Sequence, residues 1–148
     1  MFDVYIDMDG TICDFFGAHA ESLRNNPDIQ FPQSQIGFFR DLEPIDYALS
    51  CIAQLEETGR FTIWFATAPS IKNIHCYTEK AEWIREYFGE EYLERLIIVP
   101  DKSKLIGHFL IDDKHEGKGQ DQFSGELIHI GSEKWKSWID VTAYLMTK

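Results

Sequence analysis

Reactive side chains follow four apolar runs of the sequence, at the points where the runs end. They are Asp7 and Asp9 in Asp-Met-Asp-Gly-Thr, Thr67 in Thr-Ala-Pro, Lys102 after Asp101, and the pair Asp112 and Asp113. If the runs are parallel strands, their carboxyl ends share one edge of a sheet, so these side chains meet there. Clustered carboxylates need a cation among them, and oxygen ligands without matched histidines or cysteines favour Mg²⁺ over Zn²⁺. The sequence therefore predicts a magnesium site at this edge.

The two aspartates of the first segment suit covalent and acid–base chemistry on a phosphate ester. Asp7 and Asp9 are two residues apart, so both can face one pocket as the chain leaves a strand, while Met8 points away. Gly10 permits the tight turn that follows. One carboxylate can attack phosphorus to form an aspartyl-phosphate, and the other can protonate the leaving oxygen and then deprotonate water. The lysine and the threonine hydroxyl at neighbouring strand ends would surround the charge of the transferring group.

Five short apolar runs predict the strands that position these groups. They are Phe2 to Ile6, Phe61 to Ala66, Leu96 to Val99, Phe109 to Ile111 and Leu127 to Ile130. Several lack a clean alternation of apolar and polar residues, which is typical of parallel strands buried on both faces. Segments with helical spacing lie between or after them, from Ile45 to Leu55, from Ala81 to Phe88, and from Trp135 to Leu145 with Ser132 as the N-cap. The alternation predicts an α/β fold, a Rossmann-like open parallel sheet of about five strands with helices on both faces.

One segment interrupts this alternation. Residues 14–41 separate the first strand from its crossover helix, contain Asn25-Asn-Pro-Asp28 and are rich in phenylalanine. We predict that the insertion forms a small cap over the strand ends, partly helical from Ala18 to Arg24. A length of 148 residues fits one domain and leaves little room for a second, so residues 1–148 are predicted to form a single domain that includes this cap.

Composition limits the partners of the protein. The 148 residues carry a formal charge of −11 and are 44% apolar, which is typical of a folded acidic domain and excludes a surface that coats polynucleotides. A small anionic substrate remains compatible where a metal ion or a lysine cancels charge locally. No apolar run approaches the roughly 18 residues of a membrane span, and the first residues lack a basic signal region. We therefore expect a cytoplasmic protein without a membrane partner, and the choice between monomer and homodimer stays open.

The ordered motifs resemble the four motifs of the haloacid dehalogenase (HAD) superfamily. Within it, several segments are similar to the 5'(3')-deoxyribonucleotidases, which dephosphorylate nucleoside monophosphates with magnesium. These segments are Phe65-Ala-Thr-Ala-Pro-Ser-Ile-Lys72, Tyr77-Thr-Glu-Lys80, Trp83, Glu86-Tyr-Phe-Gly89, Asp101-Lys102 and Leu110-Ile-Asp-Asp113. The resemblance covers most of the chain outside the cap.

The resemblance implies a role for each motif residue. Asp7 would be the nucleophile and Asp9 the acid/base, and Thr67 and Lys102 would bind the phosphate. Lys102 is preferred over Lys104 because it directly follows Asp101, as in the motif.

The resemblance also implies the metal ligands. The magnesium ligands would be Asp7, Asp9 through its backbone carbonyl, Asp112, and Asp113 beside it. The second motif of the animal enzymes reads Thr-Ser-Pro where this chain has Ala68, and those enzymes have arginines at the positions of Pro100 and Lys114 as well as a longer cap. Base and sugar preference therefore stay open.

The phenylalanines of the cap have two alternative roles. Phe15, with Phe16, Phe38 and Phe39, either lines a pocket for a nucleobase or only holds the cap down, since aromatic rings are common packing material. We name Phe15 as the candidate substrate-binding residue among them.

Two other functions share the same ingredients. One is a phosphatase for another small phosphate ester or a polynucleotide end. The other is a phosphoacceptor signalling domain, which uses an acidic cluster, an acceptor aspartate, a hydroxyl residue and a lysine without turnover. In such domains the acceptor lies on a later strand than the paired acids, so the Asp7 to Thr11 turn and the cap insertion favour a magnesium-dependent phosphomonoesterase.

Overall fold

A computed structural model describes residues 1–148 and confirms the predicted α/β fold, a five-stranded parallel sheet of Rossmann-like type. The strands are β1 (Phe2–Ile6), β2 (Phe61–Thr67), β3 (Leu96–Ile98), β4 (Phe109–Asp112) and β5 (Glu126–His129). The α-helices are α1 (Phe15–Asn25), α2 (Ala48–Glu57), α3 (Cys76–Tyr87) and α4 (Trp138–Met146). Each predicted strand lies within one residue of its observed bounds. No helix of the protein has the length and apolar character needed to cross a membrane.

The strand order explains why the motifs converge. The order is β3-β2-β1-β4-β5, so β1 lies between β2 and β4 and pairs in parallel with both. Ile6 is in register with Phe65 of β2 and with Ile111 of β4. The three central strands therefore end within two residues of one another. Strand order reverses beside β1, which is where open α/β sheets bind ligands.

The two faces of the sheet are covered differently. Side chains of α2, α3 and α4 join the large core cluster with alternate residues of the strands, including Val4, Ile6 and Phe65. The opposite face holds a smaller cluster around Tyr5 and Leu110, and the chain there forms only short 3₁₀ helices. Both faces are covered as predicted, but the α-helices of the core pack on one of them. The connections that follow β3 and β4 contain 3₁₀ helices and no α-helix.

Two helices begin later than predicted, and α3 begins earlier, at Cys76 and not at Ala81. Helix α4 begins at Trp138 after Ser137, while Ser132 accepts a hydrogen bond from the Trp135 amide and closes a separate turn before the helix. Helix α2 begins at Ala48, because the Ile45 amide donates to a carbonyl of the turn after β1. In both cases apolar side chains at helical spacing precede the helix, since burial alone does not fix where a helix begins.

The cap is fastened to α3 by one buried carboxylate. Residues 14–41 contain α1, and Asp14 caps that helix by accepting a hydrogen bond from the Gly17 amide. Glu79 of α3 is buried and accepts hydrogen bonds from the cap amides of Gly37, Phe39 and Arg40, at 3.0, 3.1 and 3.2 Å. Charged acceptors make the stronger class of hydrogen bonds, so Glu79 fixes the position of the cap.

Removal of this carboxylate should destabilise the protein. Glu79→Ala leaves three amides of the cap without an acceptor, and we expect it to lower the free energy of unfolding by about 2–4 kcal/mol. The measurement is urea unfolding followed by fluorescence. Glu86→Ala on the exposed side of the same helix is the matched control and should change little. Equal effects of the two variants would show that the cap is held by other contacts.

Candidate active site

The ends of the central strands open on a cleft of about 250 Å³ beneath the cap. Six of the residues predicted from the sequence line it, namely Asp7, Asp9, Phe15, Lys102, Asp112 and Asp113. Thr67 is fully buried at the end of β2 and does not line the cleft. Gln33, Lys118 and Gln120 also line it, although the pattern at the strand ends gives them no role.

A tight turn after β1 presents the two aspartates to the cleft. The amides of Thr11, Ile12 and Cys13 all donate to the Met8 carbonyl, and Met8 points into the core as predicted. Gly10 has φ +83°, a left-handed conformation that disfavours other residues. A Cβ atom at Gly10 would lie 2.4 Å from Asp113 Oδ2 and 2.8 Å from a ring carbon of Phe16. The glycine therefore allows this turn to approach the acidic end of β4.

Lys102 is the central cation of the site. Its Nζ donates to Asp7 Oδ1 at 2.6 Å and to Asp112 Oδ2 at 2.5 Å, and its side chain is 2% exposed. Burial lowers the pKa of Lys102, but the carboxylates of Asp7 and Asp112 outweigh this effect, so its pKa lies above the ordinary value. Lys104, the alternative lysine, is exposed.

Three carboxylates surround this lysine. Oxygens of Asp7, Asp112 and Asp113 lie within 4.8 Å of one another, and the Thr11 hydroxyl donates to Asp7 Oδ2 at 3.0 Å. Burial, followed by the charges of Asp7 and Asp112, raises the pKa of Asp113 to about 7. Burial and the charge of Asp7 also raise the pKa of Asp112. When all three are ionised, these carboxylates exceed the single buried ammonium by about two negative charges, so the cluster fits a divalent cation bound through oxygen.

Asp9 has a different environment, which is formed by a lysine of α3. Lys80 Nζ donates to Asp9 Oδ2 at 2.7 Å and to the Thr67 hydroxyl at 2.8 Å, and its side chain is 1% exposed. The side chain of Asp9 does not belong to the three-carboxylate cluster. Its Oδ1 is buried without a hydrogen-bond partner, and burial raises its pKa despite the opposing effect of Lys80. The two aspartates of one turn therefore have separate partners.

Lys80 and Gln120 are site residues to which the sequence pattern assigns no role. Lys80 lies in a helix, where a lysine is usually solvated. Its only signal is its place in the segment Tyr77 to Lys80 that carries the resemblance. Gln120 is buried in the loop after β4, donates to Asp112 Oδ2 at 3.2 Å and accepts from the Lys118 amide at 2.7 Å. It orients Asp112, and no local sequence signal marks it.

The aromatic side chains of the cap pack against one another, line the cleft, or do both. Phe15 lies with its ring centroid 5.4 Å from that of Phe38 and 6.1 Å from that of Phe39, so it is part of an aromatic cluster as well as of the cleft wall. Phe38 does not line the cleft. Phe16 lines the cleft and is 55% exposed, with Lys114 Nζ 5.2 Å from its ring centroid. Of these rings, Phe16 has the most surface available to a ligand.

The sequence matches a known enzyme family and several of its members. The family described as 5' nucleotidase, deoxy (pyrimidine), cytosolic type C protein matches residues 26–145, more than half of the chain. The human protein named 5'(3')-deoxyribonucleotidase, cytosolic type, is 29% identical over 148 positions, which cover 80% of this chain and 74% of the human protein. A Vibrio phage KVP40 protein that provisionally carries the name 5'(3')-deoxyribonucleotidase is 29% identical, with 98% of this chain and 85% of the phage protein covered. The mouse protein named 5'(3')-deoxyribonucleotidase, mitochondrial, is 26% identical, with 78% of this chain and 66% of the mouse protein covered.

Alanine at Gly10 should disturb the site more than alanine at a glycine with a similar backbone. Gly59 has φ +67° and no atom within 4 Å of an added Cβ, so Gly59→Ala measures the backbone strain alone, about 1–2 kcal/mol. Gly10→Ala adds contact with Asp113 and Phe16, and we expect a further loss of about 1–3 kcal/mol in unfolding free energy. Urea unfolding of both variants measures the difference. Equal losses would mean that Asp113 moves aside without cost.

Proposed function

This chain belongs to the 5' nucleotidase, deoxy (pyrimidine), cytosolic type C family, and we propose on that basis that it hydrolyses nucleoside monophosphates through an aspartyl-phosphate, with magnesium. Membership confirms the resemblance to the 5'(3')-deoxyribonucleotidases of the HAD superfamily. The observation that carries the proposal is the convergence of Asp7, Asp112 and Lys102 at the floor of one cleft. The names of the human and mouse relatives support a deoxyribonucleotide as the substrate. The cytosolic type of the human relative supports a cytoplasmic location.

Asp7 is the nucleophile in this proposal. Lys102 holds its Oδ1 and the Thr11 hydroxyl holds its Oδ2, so the carboxylate is fixed in orientation and each oxygen keeps a lone pair. One oxygen forms a bond to phosphorus while the bond from phosphorus to the ester oxygen breaks. Water then attacks the same phosphorus and the aspartyl–phosphorus bond breaks, which releases phosphate and restores Asp7.

Asp9 moves the proton. Its Oδ2 accepts a hydrogen bond from the Lys80 ammonium, so a proton on this carboxyl resides on the unpartnered Oδ1, which is buried in the free protein and reaches the leaving oxygen when the carboxyl group rotates. The raised pKa favours the protonated form, which donates to the leaving oxygen in the first step. The resulting carboxylate accepts a proton from the attacking water in the second step. Lys80 positions Asp9 throughout, and it holds the Thr67 hydroxyl beside it.

The donor set suits a magnesium ion. Asp7, Asp112 and Asp113 would hold it with carboxylate oxygens, and the family resemblance adds the Asp9 backbone carbonyl. When bound, the ion supplies positive charge beside the phosphoryl oxygens. Lys102 remains necessary, because its ammonium lies between the carboxylates of Asp7 and Asp112 and donates a hydrogen bond to each.

The cap contacts the leaving group in this proposal. A phosphate at Asp7 places the rest of the ester against the cap side of the cleft, where Phe15 and the more exposed Phe16 lie. Base stacking on an aromatic ring contributes about 1–3 kcal/mol in nucleic-acid-binding proteins, which is enough to select nucleotides over smaller esters. Phe16 offers more free ring surface, while the ring of Phe15 is shared with the cap core.

Replacement of the nucleophile tests the reaction directly. Asp7→Asn keeps the shape of the side chain but removes the anion, so phosphate release from deoxyribonucleoside monophosphates should fall to near background. Wild-type protein that is quenched in acid during turnover should carry one added phosphoryl group in mass spectrometry, and Asp7→Asn should carry none. Asp28→Asn, on an exposed part of the cap, is the control and should keep full activity. Rapid turnover by Asp7→Asn would remove Asp7 from this role.

Metal dependence is tested by activity and by stability together. Excess EDTA should abolish phosphate release and Mg²⁺ should restore it. Mg²⁺ should also raise the Tm of the wild type, because a ligand that binds only the folded state stabilises it. Asp112→Asn should lose most of this rise, whereas Asp28→Asn should keep it. Full activity in EDTA, with no effect of Mg²⁺ on Tm, would contradict a magnesium site.

A further inference from the structure

The cap carries one polar side chain at the cleft whose hydrogen bonding is incomplete. Gln33 lies in the 3₁₀ helix Pro32–Ser34 and lines the cleft together with Phe16 and Phe39. Its Oε1 is buried and accepts no hydrogen bond. A buried amide oxygen without a donor costs about 1–3 kcal/mol, so the side-chain oxygen of Gln33 does not stabilise the folded protein.

The backbone around Gln33 is held firmly in place. The buried side chain of Asn73 donates to the Gln33 carbonyl at 3.0 Å and to the Gln35 carbonyl at 3.1 Å. The side chain of Gln35 in turn donates to Ser22 Oγ at 3.2 Å and to the Pro32 carbonyl at 3.0 Å. The segment is thus tied both to the loop before α3 and to α1. Its neighbours make hydrogen bonds that hold the cap, whereas Oε1 of Gln33 does not.

We propose that Gln33 determines specificity by hydrogen bonding to the polar edge of the nucleobase, an inference that rests on the proposed nucleotidase function. An amide offers a donor and an acceptor side by side, which matches the adjacent donors and acceptors on a base edge. The terminal torsion of glutamine is soft, so rotation about it can turn the buried oxygen toward a ligand while the backbone stays fixed. The base then supplies the hydrogen bond that Oε1 lacks in the free protein.

The position of Gln33 distinguishes a base from a phosphate as its partner. The lysine and the carboxylates that suit a phosphate and its metal lie at the strand ends, in Lys102, Asp7 and Asp112. Gln33 is uncharged and belongs to the cap, with the aromatic rings of Phe15 and Phe16 in the same cleft. Rings that stack on the face of a base and an amide that binds its edge are complementary contacts.

The test replaces the amide with an apolar side chain of similar length. Gln33→Met should raise KM about 5-fold to 100-fold for the deoxyribonucleoside monophosphate that the wild type hydrolyses best. It should leave kcat/KM for p-nitrophenyl phosphate within about 2-fold, since that ester has no base edge. The Tm should stay equal or rise, because an unpartnered buried polar atom is removed. Gln30→Met, at an exposed position of the same cap, is the matched control and should change none of these values.

The outcomes separate the two levels of the proposal. If the wild type hydrolyses neither ester, the proposed function fails and the role of Gln33 fails with it. If the wild type hydrolyses both and Gln33→Met keeps its nucleotide KM, only the role of Gln33 is overturned. A lower Tm with equal losses on both esters would also overturn it, since Gln33 would then merely support the cap.

Discussion

The ammonium of Lys102 between Asp7 and Asp112 is the interaction on which the rest of the site depends. A buried ion is tolerated only when it is paired and hydrogen bonded, and removal of one partner leaves an uncompensated charge that commonly costs about 3–5 kcal/mol. The two aspartates end adjacent strands, but the lysine follows β3 at the edge of the sheet. The chain after β3 must therefore fold back toward the centre. It does so in the 3₁₀ helix Lys102–Lys104, where the Lys102 amide donates to the Lys118 carbonyl.

This requirement explains the unequal covering of the sheet. A long crossover helix after β3 would place its first turn on the face of the sheet, whereas a short turn keeps Lys102 at the strand ends. The loop after β4 has a similar role, because Gln120 reaches back to Asp112. The face that carries only 3₁₀ helices is the one whose connections supply side chains to the site. The face with α-helices holds most of the apolar core, so function and stability are largely divided between the two sides.

Helix α3 belongs to the side of the sheet that carries the α-helices, but it also contacts the site. Glu79 binds the amides of the cap, and the next residue, Lys80, binds Asp9. Neighbouring residues of one helix therefore fix the cap and Asp9 relative to each other. A movement of α3 would displace both, which in the proposed reaction would couple the contact with the leaving group to the group that protonates it.

The sequence could predict Asp7, Asp9, Lys102, Asp112 and Asp113 at one edge, because strand ends are readable from apolar runs. It could not predict Glu79, Lys80 or Gln120 as buried partners, because polar residues of helices and loops are usually solvated and only tertiary packing buries them.

The charge of the whole protein and the charges inside the cleft would affect small and polymeric phosphate esters differently. The protein has a formal charge of −11, and its cleft is lined by four aspartates, Asp7, Asp9, Asp112 and Asp113, together with Lys102, Lys114 and Lys118. Exposed charges act over about 8–10 Å at physiological salt, so a small anion inside the cleft would be attracted mainly by these lysines and by a cation held among the aspartates. A polynucleotide that placed one end at Asp7 would also have to lay further phosphates along the acidic surface, where each would be repelled. The acidic surface therefore favours the mononucleotide of the proposed function over a polynucleotide end.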